Sequence, residues 1–265
     1  MDALSRAEWS AISHRAQAFN NPLGSRMLDM IDAARMGACK RVFDIGCGKG
    51  GLAEAVARRA DGCAVVGVDS DAICVAEGVD RLAADSFGVG ARIKLDARPY
   101  SGPAAPEFDL VACIGSEAAL GIEALDRASV VSAAEQLFAW TTASGAVLFA
   151  ALGLEAPRPA EGEHTALFEM FGLKSWDELL TGEEMRAALA DRFTVVDWCS
   201  ATPAEWRAFE EDAFLAFKAY AEAHMDREGV PERLANHGKW NEVRKETADY
   251  GVLGFHAFPL TRASE

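Results

Sequence analysis

The segment that most constrains the fold of this chain is a short apolar run that leads straight into a cluster of glycines. The run Arg41–Ile45 is followed by Gly46, Gly48, Gly50 and Gly51, and helix-forming residues come next. Glycine accepts positive φ angles and lets the backbone approach a ligand closely, and the first turn of a helix carries unpaired N–H groups. The segment therefore predicts a buried strand, a tight turn and a helix that begins beside a ligand.

The chain around this segment alternates short apolar runs with amphipathic helices. Alternation of this kind predicts a parallel, doubly wound sheet with helices on both faces, which is an α/β fold. The predicted strands are Val42–Ile45, Ala64–Val68, Arg92–Leu95, Phe108–Ile114, Ala146–Ala150, Phe193–Cys199 and Val252–Leu260. A long helical insertion at 203–248 precedes the last strand.

One face of that insertion carries a stripe at three- and four-residue spacing, formed by Trp206, Phe209, Ala213, Phe217, Tyr220 and His224. Such a stripe either packs against the sheet or lines a substrate site. If it were exposed it would need a partner, so both a monomer and a homodimer remain open.

Acidic residues lie at the carboxyl ends of the first three predicted strands. Asp44 lies two residues before Gly46, and Asp69 and Asp96 end the second and third strands. Ligands of open parallel sheets bind at this edge, and a carboxylate there can accept hydrogen bonds from ribose hydroxyls. The glycine spacing also fits a nicotinamide dinucleotide site, but a carboxylate at Asp44 disfavours a pyrophosphate and suits a cationic ligand. Each acid alone could instead cap a helix or a turn.

Taken together, these motifs resemble those of the class I S-adenosylmethionine (SAM)-dependent methyltransferases. Asp44-x-Gly46-x-Gly48-x-Gly50 is similar to the first motif of that family, Asp69 to its ribose-binding acid and Asp96 to its adenine-binding acid. Residues 108–116 and 145–149 resemble the fourth and fifth strands of the family, and 253–258 resembles its antiparallel last strand. The resemblance implies a Rossmann-like, mostly parallel sheet of seven strands, with SAM as cofactor and S-adenosyl-L-homocysteine as product.

The flanking segments Phe19–Pro22 and Glu242–Phe255 are similar to those of a small-molecule branch related to the quinone-biosynthesis methyltransferases. The resemblance implies a helical lid at 1–37, a SAM-binding core at 38–152, a cap segment with a helix at 153–192, and the end of the sheet at 193–265, which carries the insertion. It implies cofactor contacts from Asp44, Gly46, Cys47, Gly48, Gly50, Asp69, Ser70, Asp96, Ala97, Ile114, Gly115 and Asn21.

Candidates for the chemistry itself lie near the predicted cofactor edge and in the cap. Glu117 follows the fourth strand and could take a proton or cap a helix, and His14 in the lid could act as a base or lie at the surface. Trp176, Trp240, Arg244 and Tyr250 are candidate substrate contacts, with packing and a helix-face ion pair as the alternatives. Two other functions stay open, a nicotinamide-dependent oxidoreductase and a SAM-binding protein without transfer activity.

The composition narrows the classes of partner. With 41 acidic and 26 basic residues the net charge is −15, which disfavours nucleic acid and anionic membrane surfaces. The six cysteines form no Cys-x-x-Cys pair, so they predict reduced thiols and neither a disulfide framework nor a metal site. We therefore expect a cytoplasmic enzyme that acts on a small molecule.

Overall fold

The fold is described from a computed structural model. It covers residues 3–33, 39–86, 88–100, 106–122, 125–160, 162–170, 175–246 and 251–263. The strands are β1 (Arg41–Ile45), β2 (Ala64–Asp69), β3 (Ile93–Ala97), β4 (Phe108–Ile114), β5 (Thr141–Leu154), β6 (Phe193–Val195), β7 (Cys199–Ser200) and β8 (Leu253–Arg262). The helices are α1 (Arg6–Ser13), α2 (Arg26–Ala33), α3 (Gly51–Arg59), α4 (Ala72–Ala83), α5 (Arg127–Phe138), α6 (Thr165–Met170), α7 (Gly182–Ala190), α8 (Pro203–Glu222) and α9 (Val230–Glu246).

The strands form one mixed sheet in the order β3-β2-β1-β4-β5-β8-β6, and β7 pairs with β8 beside this path. Strands β1 to β5 run parallel, and β8 runs antiparallel to β5 along eight residue pairs. The predicted α/β class with an antiparallel last strand is confirmed. Two helical layers cover the sheet, with α2 and α3 packed against one face and α5 and α7 against the other.

The sheet has eight strands rather than the predicted seven, because the predicted strand Phe193–Cys199 is split. Val195 pairs with Leu260 and Cys199 pairs with Ala257, so three residues of the β6–β7 connection oppose two residues of β8. This extra residue makes a bulge. One of the two opposing residues is Pro259, which has no N–H to donate to the ladder at this point.

Several element boundaries also differ from prediction. Strand β5 is longer than the expected Ala146–Ala150 because β8 pairs with it as far as Leu154. The insertion at 203–248 contains two helices, since Gly229 has a φ of +84° and Pro231 lies in the first turn of α9. None of the helices in the described part of the chain is both long and apolar enough to cross a membrane.

Helices α1, α8 and α9 pack together as a cap over the carboxyl edge of the sheet. Their shared apolar cluster contains Leu4, Phe217, Ala221 and Val230. The aromatic stripe of α8 thus packs largely against other helices, while its first member, Trp206, joins the core on the α2–α3 face of the sheet. The N-terminal helix and the insertion, far apart in sequence, form one unit.

Candidate active site

The glycine turn after β1 lies directly against the end of β4. Gly46, Gly48 and Gly50 have φ angles of +70°, +51° and +75°, which residues other than glycine rarely adopt. A Cβ atom at Gly46 would collide with the side chain of Ser116. Glycine is therefore needed at position 46 for two reasons, the backbone conformation and the close approach of the loop after β4.

Asp69 connects the end of β2 to this turn. Its Oδ2 accepts a hydrogen bond of 2.8 Å from the backbone N–H of Gly48, and its Oδ1 accepts one of 2.8 Å from the N–H of Asp71. Each carboxylate oxygen has two lone pairs, so both oxygens can accept a further hydrogen bond. The half-buried carboxylate is thus held in place and still able to bind hydroxyl groups of a ligand.

Asp44 is the most unusual charged group of the edge. It is 3% exposed, and its Oδ2 has no hydrogen-bond partner among the described residues. Burial raises the pKa of Asp44 to about 7, and the negative charge of Asp69 adds to the shift. A buried carboxylate without a partner costs free energy in the ligand-free protein, and a cationic ligand would remove that cost.

Two cavities open on either side of Gly46. The larger, about 460 Å³, is lined by Gly46, Val68, Asp69, Ser70, Pro99, Tyr100, Ser116, Ala118 and Ala119. The smaller, about 50 Å³, is lined by Ala18, Phe19, Asn20, Asn21, Asp44, Gly46, Cys47, Gly48, Lys49, Gly51, Leu52 and Ile114. The edge can therefore hold an elongated ligand that passes over the backbone of Gly46, with one part in each cavity.

Most of the predicted cofactor residues meet at these cavities, but some do not. Asp96 and Ala97 are absent from both linings, and Asp96 pairs with Lys94 at 2.9 Å. Gly50 and Gly115 are also absent from the linings, although Gly50 shapes the turn and Gly115 follows β4 directly. Sequence reasoning missed Pro99, Tyr100, Ser116, Ala118 and Ala119; the available signal was that each follows a predicted strand closely.

The N-terminal segment is fastened over the glycine turn by Lys49. The Lys49 ammonium donates a 2.8 Å hydrogen bond to the carbonyl of His14 and lies 3.3 Å from a carboxylate oxygen of Glu77. The carbonyl of Ala18 lies so close to Gly51 that a side chain there would collide with it. Residues 18–21 therefore cover the smaller cavity from above.

Comparison with known proteins agrees with this geometry. Residues 43–145 match a family model described as a methyltransferase domain. The SAM-dependent methyltransferases of Geobacter sulfurreducens (22% identity, TM-score 0.81) and Thiobacillus denitrificans (20%, 0.81), both solved with S-adenosyl-L-homocysteine, are similar over 99% of this chain and 100% of theirs.

The solved structure of YjhP from E. coli is also similar, with 21% identity and a TM-score of 0.77 over 96% of this chain and 99% of that one. The chain thus has the fold of the class I SAM-dependent methyltransferases over nearly its whole length, including the cap. A search of curated protein sequences found no match.

His14 lies where the N-terminal segment contacts α8. Its ring Nδ1 is 2.6 Å from Oε1 of Gln17, and the ring stacks on Phe209 with centroids 5.1 Å apart. Burial lowers the pKa of His14, which favours the neutral ring. His14 does not line either cavity, and its observed contacts hold the N-terminal segment against α8.

Glu117 begins a short 3-10 turn directly after β4. Its Oε1 is buried and has no hydrogen-bond partner among the described residues. Burial raises the pKa of Glu117, and backbone hydrogen bonds at Glu117 and Leu152 offset part of the shift. The next α-helix is capped by Asp126 instead, so the expected alternative of helix capping by Glu117 does not hold.

The candidate substrate residues lie in different parts of the cap. Trp176 is buried in a cluster with Leu154 and Leu167, against which Trp240 packs. Arg244 is fully buried, and its Nε donates a 3.0 Å hydrogen bond to Glu210. The predicted alternative of an ion pair therefore fits Arg244, although the pair is buried between helices rather than on a helix face. Tyr250 lies outside the described residues.

The chain's other reactive groups have no site of their own. Cys47 and Cys113 are buried, 7% and 0% exposed, and burial raises the pKa of both thiols, so they pack as small apolar side chains. Within the described residues, no group of three histidine, cysteine, aspartate or glutamate side chains is arranged to hold a metal ion. The chemistry of this edge is that of its carboxylates.

Proposed function

We propose that this protein is a SAM-dependent methyltransferase that transfers a methyl group to a small-molecule acceptor. The observation that carries the proposal is the pair of carboxylates on either side of Gly46, one buried without a partner and one held for hydroxyl binding. The two most similar structures reported above hold S-adenosyl-L-homocysteine, and their fold matches this chain from end to end.

The residues of the edge fit this cofactor. Asp44 supplies a negative charge for the amino group of the methionine part, and its unpartnered Oδ2 accepts the hydrogen bond. Asp69 accepts from the ribose hydroxyls, while Ser70, Pro99 and Tyr100 line the larger cavity on the adenosine side. When bound, SAM supplies an electrophilic methyl group on a sulfonium.

The chain itself positions the reacting groups, excludes water from the edge of the sheet and supplies a proton acceptor. The lid residues over the smaller cavity close the edge from solvent, and exclusion of water strengthens every charge interaction there. Glu117 lies where β4 ends, and its buried Oε1 accepts the proton that the acceptor loses. Burial raises the pKa of Glu117, which makes its carboxylate a stronger proton acceptor.

A compact acceptor is favoured by the aromatic wall beside this edge. The ring of Phe255 lies 3.2 Å from the position that a Cβ of Gly115 would take, and its centroid is 6.4 Å from that of Trp206. Trp206 belongs to α8, so this ring comes from the cap itself. An enclosed aromatic site suits a small molecule better than a polymer.

The nicotinamide-dependent alternative finds no support in the sheet. A dinucleotide fold continues beyond its first half with a second parallel unit. Here β8 occupies the place beside β5 and runs antiparallel. We therefore rank this alternative below methyl transfer.

Calorimetry tests the cofactor. SAM and S-adenosyl-L-homocysteine should bind and NADH should not, and Asp44→Asn should weaken binding at least about tenfold because one charge-assisted hydrogen bond is lost. Asp109→Asn is the matched control, since Asp109 accepts from Lys40 and Arg41 at the opposite end of the strands. Binding of NADH alone would overturn the proposal.

Transfer itself is tested by release of S-adenosyl-L-homocysteine with a panel of phenols, amines and thiols. Glu117→Gln should bind SAM normally and lose turnover by about 10²-fold or more, the usual contribution of a general base. A protein that binds SAM tightly but turns over none of these acceptors would favour the non-catalytic SAM-binding alternative.

A further inference from the structure

The interior of the cap holds buried polar atoms that lack hydrogen-bond partners. Helix α1 contributes Nε1 of Trp9 and Oγ of Ser13, and helix α9 contributes Nδ1 of His237 and Oδ1 of Asn241, none of them partnered among the described residues. Ser13, His237 and Asn241 are 1%, 9% and 3% exposed. We call these four residues the cap polar group.

The four side chains lie where three helices meet. Within each helix the two members are four residues apart, so they lie on the same face one turn from each other. The rings of Trp9 and His237 have centroids 5.6 Å apart, and from α8 the ring of Phe214 lies 5.3 Å from His237. The contact between Trp9 and His237 places the α1 pair beside the α9 pair.

Packing alone does not account for this arrangement. A buried polar atom without a partner costs roughly 1–3 kcal/mol, whereas an apolar side chain of similar shape would avoid that cost. Four such atoms on facing helices would together remove a large part of the stability of a domain. Buried polar groups of this kind normally have a partner.

The group carries no net charge. Burial lowers the pKa of His237 to about 4, so its ring is neutral at physiological pH. On the same face of α9, Arg244 is paired with Glu210 at 3.0 Å, and the guanidinium carbon of Arg233 lies 5.5 Å from the centre of the Trp9 ring. The group offers donors from Trp9 and Ser13 and acceptors from Ser13 and Asn241, between aromatic rings, so it fits a neutral, flat molecule with hydroxyl groups or ring N–H groups.

We propose that the cap polar group binds the methyl acceptor, and that the acceptor is a neutral aromatic compound bearing hydroxyl groups or ring N–H groups. The proposal rests on the proposed function. From Asn241 the α9 face leads to Arg244, whose guanidinium carbon lies 5.4 Å from the centre of the Trp206 ring, and Trp206 contacts Phe255 of β8, whose ring lies beside Gly115 after β4. These contacts connect the cap polar group with the end of β4.

Thermal unfolding of the ligand-free protein tests the first part without any ligand. If the atoms lack partners, Asn241→Leu and Ser13→Ala should each raise the Tm by several degrees. The matched control is Asn21→Leu, because Asn21 is buried but its Oδ1 already accepts from the N–H of Gly24 at 3.1 Å, so its Tm should fall. A fall in Tm for both cap variants would overturn the proposal.

Binding of resorcinol, a neutral dihydroxybenzene, tests the ligand class by calorimetry on the SAM-loaded protein. We expect binding in the millimolar range that Asn241→Leu weakens about tenfold, with no such change for toluene. Benzoate, which is charged, should bind more weakly than resorcinol. Equal binding of resorcinol by wild type and Asn241→Leu, or none by wild type, would overturn the assignment, and unchanged SAM binding by the variant shows that the cofactor proposal is unaffected.

Discussion

The hydroxyl of Ser200 lies 2.6 Å from Nδ1 of His256, a ring that is 1% exposed. The other ring nitrogen, Nε2, lies 3.1 Å from the carbonyl of Leu154, which can only accept a hydrogen bond. Nε2 therefore carries the proton, and Nδ1 accepts from Ser200. This arrangement connects β7, β8 and β5 at the point where the split strand rejoins the sheet.

Substitution of Ser200 by alanine should destabilise the protein by about 1–3 kcal/mol, because Nδ1 of the buried His256 would lose its donor. Urea unfolding followed by circular dichroism measures the change. Ser132→Ala, on the exposed face of α5, is the control and should change the free energy of unfolding by less than about 0.5 kcal/mol. Equal effects at both sites would contradict the assigned bond.

The contribution of two buried histidines to stability should be lost between about pH 6.5 and pH 4. Burial lowers the pKa of His256 and of His237 to about 4, from an ordinary value of 6.5. In this window the unfolded chain binds more protons than the folded one, so stability is complete above pH 6.5 and falls as the pH drops towards 4. Unfolding in urea across this range measures the slope, and His237→Phe should reduce it.

The contribution of Asp44 to stability should change with pH in the opposite direction. Its folded pKa of about 7 exceeds the ordinary value of 3.8, so its contribution is complete below pH 3.8 and is lost as the pH rises through 7. Asp44→Asn should therefore raise the Tm of the ligand-free protein at pH 8, while it weakens SAM binding. A lower Tm for this variant would show that the carboxylate has a partner in the folded chain.

Cofactor binding below pH 7 should release a proton from Asp44, because a cationic amino group favours the ionised carboxylate. Calorimetric titrations with SAM at pH 6.5, in buffers of different ionisation enthalpy, measure the protons released. The Asp44→Asn protein should release fewer protons than wild type, and equal release would assign the proton to another group.

Gly46→Ala should lower the free energy of unfolding far more than Gly62→Ala. Both glycines have nearly the same φ, +70° and +73°, but nothing lies within 4 Å of a Cβ at Gly62, whereas a Cβ at Gly46 meets Ser116. The backbone conformation alone should cost Gly62→Ala about 1–2 kcal/mol. Gly46→Ala should add the collision and abolish SAM binding, as chemical unfolding and calorimetry would show.

Loss of the Lys49 ammonium should loosen the lid without unfolding the core. Lys49→Met keeps the length of this buried side chain but removes the bond to the carbonyl of His14. Hydrogen exchange should become faster at residues 14–21 and stay unchanged in α5. Lys94→Met is the control, since Lys94 is exposed and pairs only at the edge strand with Asp96, and faster exchange throughout the chain would contradict a local role.

Local features of the sequence located the elements that form the candidate site. Apolar runs that end in glycine or aspartate specify strands and turns within a few residues, so β1, its glycine turn and the acid Asp69 could be located without the fold. The role of Asp96 stays a prediction, because a strand-end position says where a carboxylate starts but not which neighbour it meets. In the structure the carboxylate of Asp96 forms an ion pair with the nearby Lys94.

By itself, the sequence determined the α/β class, the glycine turn after β1 and the acids near the carboxyl ends of the strands, because periodicity and glycine turns act over short stretches of chain. Three contacts were decided only by the tertiary structure. The side chain of Ser116 leaves no room for a Cβ atom at Gly46, and Pro259 lies opposite the break between β6 and β7. The ring of Trp9 contacts that of His237. These contacts join residues far apart in the chain. They depend on how helices and strands pack in three dimensions, which no local pattern records.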